Sequence, residues 1–138
     1  MAYNIDNSKI HTKENKGKLL RNQPKYNFFK NTSYALKGLK DLIKNETSFK
    51  VELVIVCLWL PVIIFIDSSL TNKILMFITL MGMPLAEAIN SAIERVVDLV
   101  TLEHHDMAGR AKDVGSAVVF LSIFIFIITW IVIIFSTL

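Results

Sequence analysis

Cysteine is almost missing from this chain. Cys57 is the only one, so no intrachain disulfide can form and the redox compartment goes unsignalled. It sits in an apolar run, where a small buried apolar residue is expected. No GxxxxGK[ST] phosphate loop occurs, which excludes a Walker-type nucleotide site. No GxSxG occurs either, and no serine–histidine pairing has supporting context. Histidine is limited to His11, His104 and His105, with no further histidine or cysteine placed to complete a zinc site around His104-His105-Asp106. Basic residues stop at Lys112 and charged residues stop at Asp113. No long apolar run precedes residue 51, so no secretory signal peptide is expected.

What is present is apolar and bunched. The hydrophobic share is 53%, high for a soluble domain, and its clustering points to a membrane protein. The formal net charge of +3 hides a segregation: eleven of the fifteen Lys and Arg lie in residues 1–50. Because this basic region abuts an apolar segment, anionic lipid headgroups are its expected partner rather than nucleic acid. One domain is expected from the length.

Residues 1–26 form a polar arm without apolar periodicity, rich in Asn and Lys, expected on the cytoplasmic side. Residues 32–45 are different. Leu36, Leu39 and Ile43 recur at helical spacing, and Lys37, Lys40 and Lys44 make a second stripe. Thr32 or Ser33 is the expected cap. This pattern predicts an amphipathic basic helix lying on a membrane surface; the alternative, packing on a soluble core, finds little core in this chain.

Three spans follow, at about 49–66, 71–90 and 114–136. The first is apolar from Val51 to Ile66 apart from Glu52, with Trp59 and Pro61 inside it. The short polar turn at 67–72 makes the first two spans antiparallel neighbours. The uncharged part of the second, Ile74 to Ala86, covers only about 20 Å of helix, so Glu87 falls at or just inside the boundary and the helix continues to about 102. Pro84 permits a bend just before Glu87. Residues 103–113 are a polar loop or a loop leading into the third span, in which Trp130 is a candidate interface marker. Fourteen of the fifteen basic residues lie in the 1–50 region and the 95–112 segment. By the positive-inside rule both are cytoplasmic, which puts the turn and the C-terminus outside.

Around the second boundary, Glu87, Asn90, Glu94 and Asp98 fall within an arc of roughly 80° on one helix. Carboxylates at a membrane boundary are costly unless paired, protonated or bound to a cation. Two readings stand side by side: a site for divalent metal and phosphate, or a solvated helix face just outside the bilayer. The topology brings segments 45–52 and 87–113 to the same face. Glu46, Glu52, Glu87, Asn90, Glu94, Asp98, Lys112 and Asp113 can then share one interfacial shell. Hard oxygen ligands suit Mg²⁺, Lys112 and Arg110 suit phosphate, and a carboxylate can accept a hydroxyl proton. These are the parts phosphoryl transfer needs. Ser116 opens the third span, where a small residue at a helix contact is the plainer expectation.

Glu87-Ala-Ile-Asn-Ser-Ala-Ile-Glu94-Arg-Val-Val-Asp98, followed by His105-Asp-Met-Ala-Gly-Arg-Ala-Lys-Asp113-Val-Gly-Ser116, resembles the prokaryotic diacylglycerol kinase family. Asn45-Glu46-Thr-Ser-Phe-Lys-Val-Glu52 and Lys37-Gly38-Leu39 match its upstream pattern, and the resemblance covers about 27–138. It implies an all-α membrane protein: three transmembrane helices per subunit plus an N-terminal amphipathic surface helix, assembled as a homotrimer with shared active sites. It implies ATP-dependent phosphorylation of 1,2-diacylglycerol to phosphatidate, with Mg²⁺, at the cytoplasmic face of the bacterial inner membrane. By matched position, Glu87 is the general base, and Glu46 and Glu94 are the metal carboxylates. Tyr34, Glu46, Glu94, Glu103, His104, His105, Lys112 and Asp113 meet the nucleotide. The lipid is met by Ser48, Phe49, Lys50, Val51, Glu52, Glu87 and Ser116, with Asn90, Asp98 and Arg110 in support.

The chain departs from the family pattern at several positions. Asn27 stands where the family has an Arg, Ala35-Leu36 replaces a Ser-Trp pair, Lys50 replaces an Arg, and Asp106 replaces a Glu. Lys50 gives up the bidentate fork of Arg, while Lys25 or Lys30 is placed to stand in for the missing Arg near Asn27. Two other functions compete. One is an undecaprenol kinase of the same superfamily. The other is a non-enzymatic small membrane transporter or assembly subunit, which would need neither Lys112-Asp113 nor the basic surface helix.

Overall fold

The computed structural model describes residues 27–137; the arm 1–26, with His11 and Lys25, lies outside the described residues. These residues are almost wholly helical, with no strand among them. The helices are α1 (Phe28–Asn45), α2 (Thr47–Phe65), α3 (Leu70–Val100) and α4 (Asp106–Thr137). By its contacts the chain divides between Ser33 and Tyr34, and the bundle with its polar site lies wholly in the second unit.

α1 starts ahead of the expected cap. Asn27 takes that role: its Oδ1 accepts from the Lys30 amide at 3.2 Å. The Thr32 hydroxyl instead turns back onto the Phe28 carbonyl at 3.0 Å, as a hydroxyl does inside a helix. Asn27 is thus a good helix cap. α1 buries none of its residues, and Leu36, Leu39 and Ile43 stay exposed.

α2, α3 and α4 are each long and apolar enough to cross a membrane. α2 has 19 residues, about 28 Å at 1.5 Å per residue. α3, with 31 residues, and α4, with 32, exceed a bilayer core and carry their polar ends beyond it. Both Pro61 and Pro84 sit inside continuous helices. α4 already begins at Asp106, so Arg110, Lys112 and Asp113 are helical. The His105 Nδ1 accepts from the Met107 amide at 3.2 Å, and Asp106 in the first turn complements the helix dipole. The α2–α3 turn closes on Ser69, whose Oγ accepts from the Asn72 amide at 3.2 Å.

α3 packs against both neighbours, most extensively α4. The apolar core is Ile63 from α2, Met76, Leu80 and Met83 from α3, and Phe126, Trp130 and Ile133 from α4. Trp130 is buried there rather than marking an interface. Its indole donates to the Met76 carbonyl at 3.3 Å, and its ring meets Trp59 edge-on at 5.1 Å. A buried indole that has a partner for its N–H gains packing without a desolvation penalty. Cys57 is exposed on α2 instead of buried, since this face of α2 meets neither neighbour. The Thr137 hydroxyl lies 3.5 Å from Ser68 Oγ, which puts the end of α4 beside the α2–α3 turn. The opposite end of the bundle holds the α1–α2 junction and the α3–α4 loop.

Candidate active site

Glu46 is the single residue between α1 and α2. Its amide donates to the Leu42 carbonyl at 2.9 Å and its carbonyl accepts from the Lys50 amide at 3.3 Å, so both helices hold its backbone. One turn on, Phe49 and Glu52 point into the bundle and are buried, while Ser48, Lys50 and Val51 are exposed. α3 brings the facing groups. Glu87, Asn90 and Ser91 are buried, and Glu94 lies half-buried one turn further along. The spacing of four places Asn90 under Glu94, and its Nδ2 donates to Glu94 Oε1 at 3.0 Å.

Glu87 sits within electrostatic reach of Glu94 and Glu46 and beside the side chains of Ser48 and Asn90. Glu52 is in turn within reach of Glu87. The stripe is therefore not a solvated helix face: its inner members are enclosed by α2 and α4. Among the described residues, the buried side-chain atoms with no hydrogen-bond partner are Glu52 Oε2 and Asn90 Oδ1, both in this cluster. Unpaired buried polar atoms are rare and costly. α4 approaches through Gly115, where a Cβ would run into Asn90 Oδ1. Glycine is what lets the Asn90 amide fit between α3 and α4.

A second group forms at the α3–α4 loop. Lys112 Nζ meets Asp98 Oδ1 at 2.5 Å, tying α4 to α3. These two line a polar pocket of about 180 Å³ together with Glu103, His104 and His105. An apolar pocket of about 380 Å³ adjoins it and shares Val97, Thr101, His105 and Ala108. His104 and Asp106 are 3.9 Å apart and both fully in solvent, so their pairing contributes little. Arg110, Asp113 and Ser116 are exposed on α4 outside this pocket, and Arg110 Nη1 lies 3.9 Å from Met107 Sδ. Tyr34 is on α1, with Lys37 Nζ 6.0 Å from its ring centre. No three His, Cys, Asp or Glu side chains among the described residues close into a complete metal site.

Two residues at this end, Arg95 and Asp41, carry no signal of a role in the sequence pattern. Arg95 donates through Nε and Nη2 to Glu46 Oε1, at 3.2 and 2.6 Å, and through Nη1 to Asp41 Oδ2 at 2.5 Å. The one hint is the position of Arg95 next to Glu94 in the chain; which acidic group it meets depends on how α1 returns to α3.

Fold and site together define a small helical membrane protein with a buried acidic centre at one end of its bundle. The profile of the prokaryotic diacylglycerol kinase family matches residues 33–134. The diacylglycerol kinase of Haemophilus influenzae is 41% identical over 99 residues, 72% of this chain and 84% of that one. The diacylglycerol kinase of Escherichia coli K12 is 37% identical over 107 residues, 78% and 88%. The undecaprenol kinase of Bacillus subtilis is 32% identical over 92 residues, 67% and 75%. The chain belongs to the prokaryotic diacylglycerol kinase family.

Proposed function

We propose that this protein phosphorylates 1,2-diacylglycerol with ATP, giving phosphatidate and ADP at the cytoplasmic face of the bacterial inner membrane. The observation that carries this reading is the placement of buried Glu87 among Glu46, Glu94 and Asn90, at the same end of the bundle as the Lys112 pocket. A lipid hydroxyl reaches such a site from the bilayer and a nucleotide reaches it from water. The hydroxyl oxygen bonds to the γ-phosphorus as the bond to the β–γ bridging oxygen breaks. Glu87 takes the hydroxyl proton, and ADP leaves in line.

Glu46 and Glu94 would hold Mg²⁺. The donors fit in kind: both are hard carboxylate oxygens, and Mg²⁺ ordinarily takes only one or two carboxylates, completing its shell with phosphate oxygens and water. Bound there, the ion would supply charge neutralisation for the phosphates. Lys112, with Glu103, His104 and His105, lines the polar pocket for the polyphosphate and ribose, and the adjoining apolar pocket suits the base. Tyr34 and Asp113 complete the nucleotide contacts. Ser48, Phe49, Lys50, Val51, Glu52 and Ser116 meet the lipid, with Asn90, Asp98 and Arg110 in support.

The reading extends to the assembly. Residues 27–138 act as one kinase domain behind the 1–26 arm. α1 lies on the cytoplasmic surface, with its exposed Leu36, Leu39 and Ile43 in lipid. The basic segments put the N-terminus inside and the C-terminus outside. In the homotrimer we propose, neighbours complete each site, and the apolar depression of about 470 Å³ on α3, lined by Ala88, Ile89, Ala92, Ile93, Val96 and Val97, is open to a neighbouring subunit.

The test is transfer of labelled γ-phosphate by purified protein in mixed micelles with Mg²⁺, offering diacylglycerol and undecaprenol separately. Phosphatidate is the expected product. Glu87→Gln should lower turnover by about 10²–10⁴-fold while leaving the protein folded; near-normal turnover refutes the base assignment. Product from undecaprenol alone transfers the same mechanism to a polyprenol. No product from either lipid, with folded protein, returns the non-enzymatic reading.

A further inference from the structure

Glu46 and Glu94 reach the acidic cluster from different parts of the chain, so something must set the distance between them. Glu46 is the N-cap of α2, yet its side chain makes no cap hydrogen bond. Its Oε1 instead takes both Nε and Nη2 of Arg95. Arg95 follows Glu94 directly on α3. One helix position thus places Glu94 in the cluster, and the next reaches across to hold Glu46. The third nitrogen, Nη1, is bound by Asp41 Oδ2, and Asp41 Oδ1 accepts from Asn45 Nδ2 at 2.6 Å. The network therefore runs from the end of α1, through the junction, to α3.

These side chains are partly exposed, at 46% for Arg95, 43% for Asp41 and 28% for Glu46, and pairs of this kind add little stability. Their value lies in geometry. A planar guanidinium with two N–H groups on one carboxylate oxygen holds that oxygen in place beside α3. Asp41 matters for charge. Arg95 with Glu46 alone is neutral and attracts no cation; Asp41 restores one net negative charge to the trio.

The geometry points to Arg95 as a positioning residue that, anchored by Asp41, fixes Glu46 against Glu94 and so sets the affinity of the acidic site for a divalent cation with nucleotide. It acts through Glu46 and touches neither substrate. This inference rests on the metal roles given above to Glu46 and Glu94. Hydrogen-bond partners of metal-binding carboxylates commonly control binding in this way.

The experiment is an electron paramagnetic resonance titration of Mn²⁺ into purified full-length protein with a non-hydrolysable ATP analogue, alongside steady-state kinetics. Arg95→Gln should weaken Mn²⁺ binding by about tenfold, the lower end of what such partners control. The kinetic loss should fall on the KM for MgATP more than on kcat. Arg95→Lys keeps the charge and loses the fork, so it should lie between wild type and Arg95→Gln. Asp41→Asn should give a smaller loss in the same direction. If Arg95→Gln does not fold, Arg95→Lys and Asp41→Asn at this exposed network decide the matter. Unchanged affinity in the variants, beside a wild type that binds, overturns this inference alone. Tighter binding also overturns it, because Arg95 would then compete for Glu46 rather than place it. A wild type that binds no Mn²⁺ with nucleotide removes the metal assignment and this inference with it.

Discussion

The two ends of the bundle are built to opposite rules. At the turn end, Met76, Leu80, Trp130 and Ile133 close an apolar core, and the buried indole N–H of Trp130 has its acceptor. At the junction end, Glu52, Glu87, Asn90 and Ser91 are buried together. Two of their polar atoms have no partner. Where apolar packing is complete, the chain gains stability; where buried oxygens crowd together, it gives stability up. Such placement suits the site proposed above for a cation and a reacting hydroxyl. The contrast teaches that α3 is one helix doing two jobs, with its first half packed and its second half preorganised.

Substitutions can break this contrast, and the largest effect on stability is expected at Trp130. Trp130→Ala removes the ring that joins Trp59, Phe126 and Met76. Soluble cores lose about 3–5 kcal/mol for such a change. Lipid lowers the apolar-transfer share, since membrane helices associate largely by packing, so about 2–3 kcal/mol is expected by the same cavity reasoning. Denaturation in detergent should show this loss, with specific activity of the folded fraction retained. A fall in activity with unchanged stability would mean that the two ends are not separable.

The next effect is at Gly115. In Gly115→Ala the new methyl runs into Asn90 Oδ1, which also disturbs the Asn90–Glu94 hydrogen bond. Overpacking of this kind costs about 1–3 kcal/mol. Displacing a site group by a fraction of an ångström lowers turnover on the order of tenfold. Stability and activity should therefore fall together, unlike at Trp130. Full activity would show that Asn90 has room to move.

Glu52 sharpens the comparison by sign. Its Oε2 is buried without a partner. Glu52→Leu should raise stability by about 1–2 kcal/mol, the penalty of an unsatisfied buried polar atom, while phosphate transfer falls. A loss on both measures would mean that Glu52 is a structural residue.

Much of this architecture is legible in the amino-acid sequence. The charge-free stretch after Asp113 requires a long apolar helix, and the short 67–72 turn requires antiparallel neighbours. The Glu87–Glu94 stripe follows from helical periodicity alone. What is not legible depends on contacts between elements. Trp130 reads as an interface marker because nothing local says that Trp59 and Met76 will cover it. Cys57 reads as buried because an apolar run does not disclose which face of α2 meets α3. Asp41, one acid among the lysines of α1, becomes an anchor only when Arg95 arrives from α3. Gly115 reads as an ordinary helix glycine until Asn90 is placed opposite.

The smallest expected effect lies at the turn, and it tests whether the packed end needs its own polar fixings. Ser69 caps α3 through the Asn72 amide, and Ser68 holds the Asn72 side chain at 2.9 Å. Ser69→Ala leaves that amide without its acceptor, and cap losses of this type cost about 1 kcal/mol. The turn sits where the chain leaves the bilayer, so water can take over part of the lost bond and keep the effect at or below about 1 kcal/mol. Activity should stay unchanged, because 18 residues of helix, about 27 Å, separate Ser69 from Glu87, the nearest member of the acidic cluster on α3. A measurable drop in turnover would show that strain at the turn travels down α3 to Glu87, and the division between a packed half and a preorganised half would then have to be abandoned.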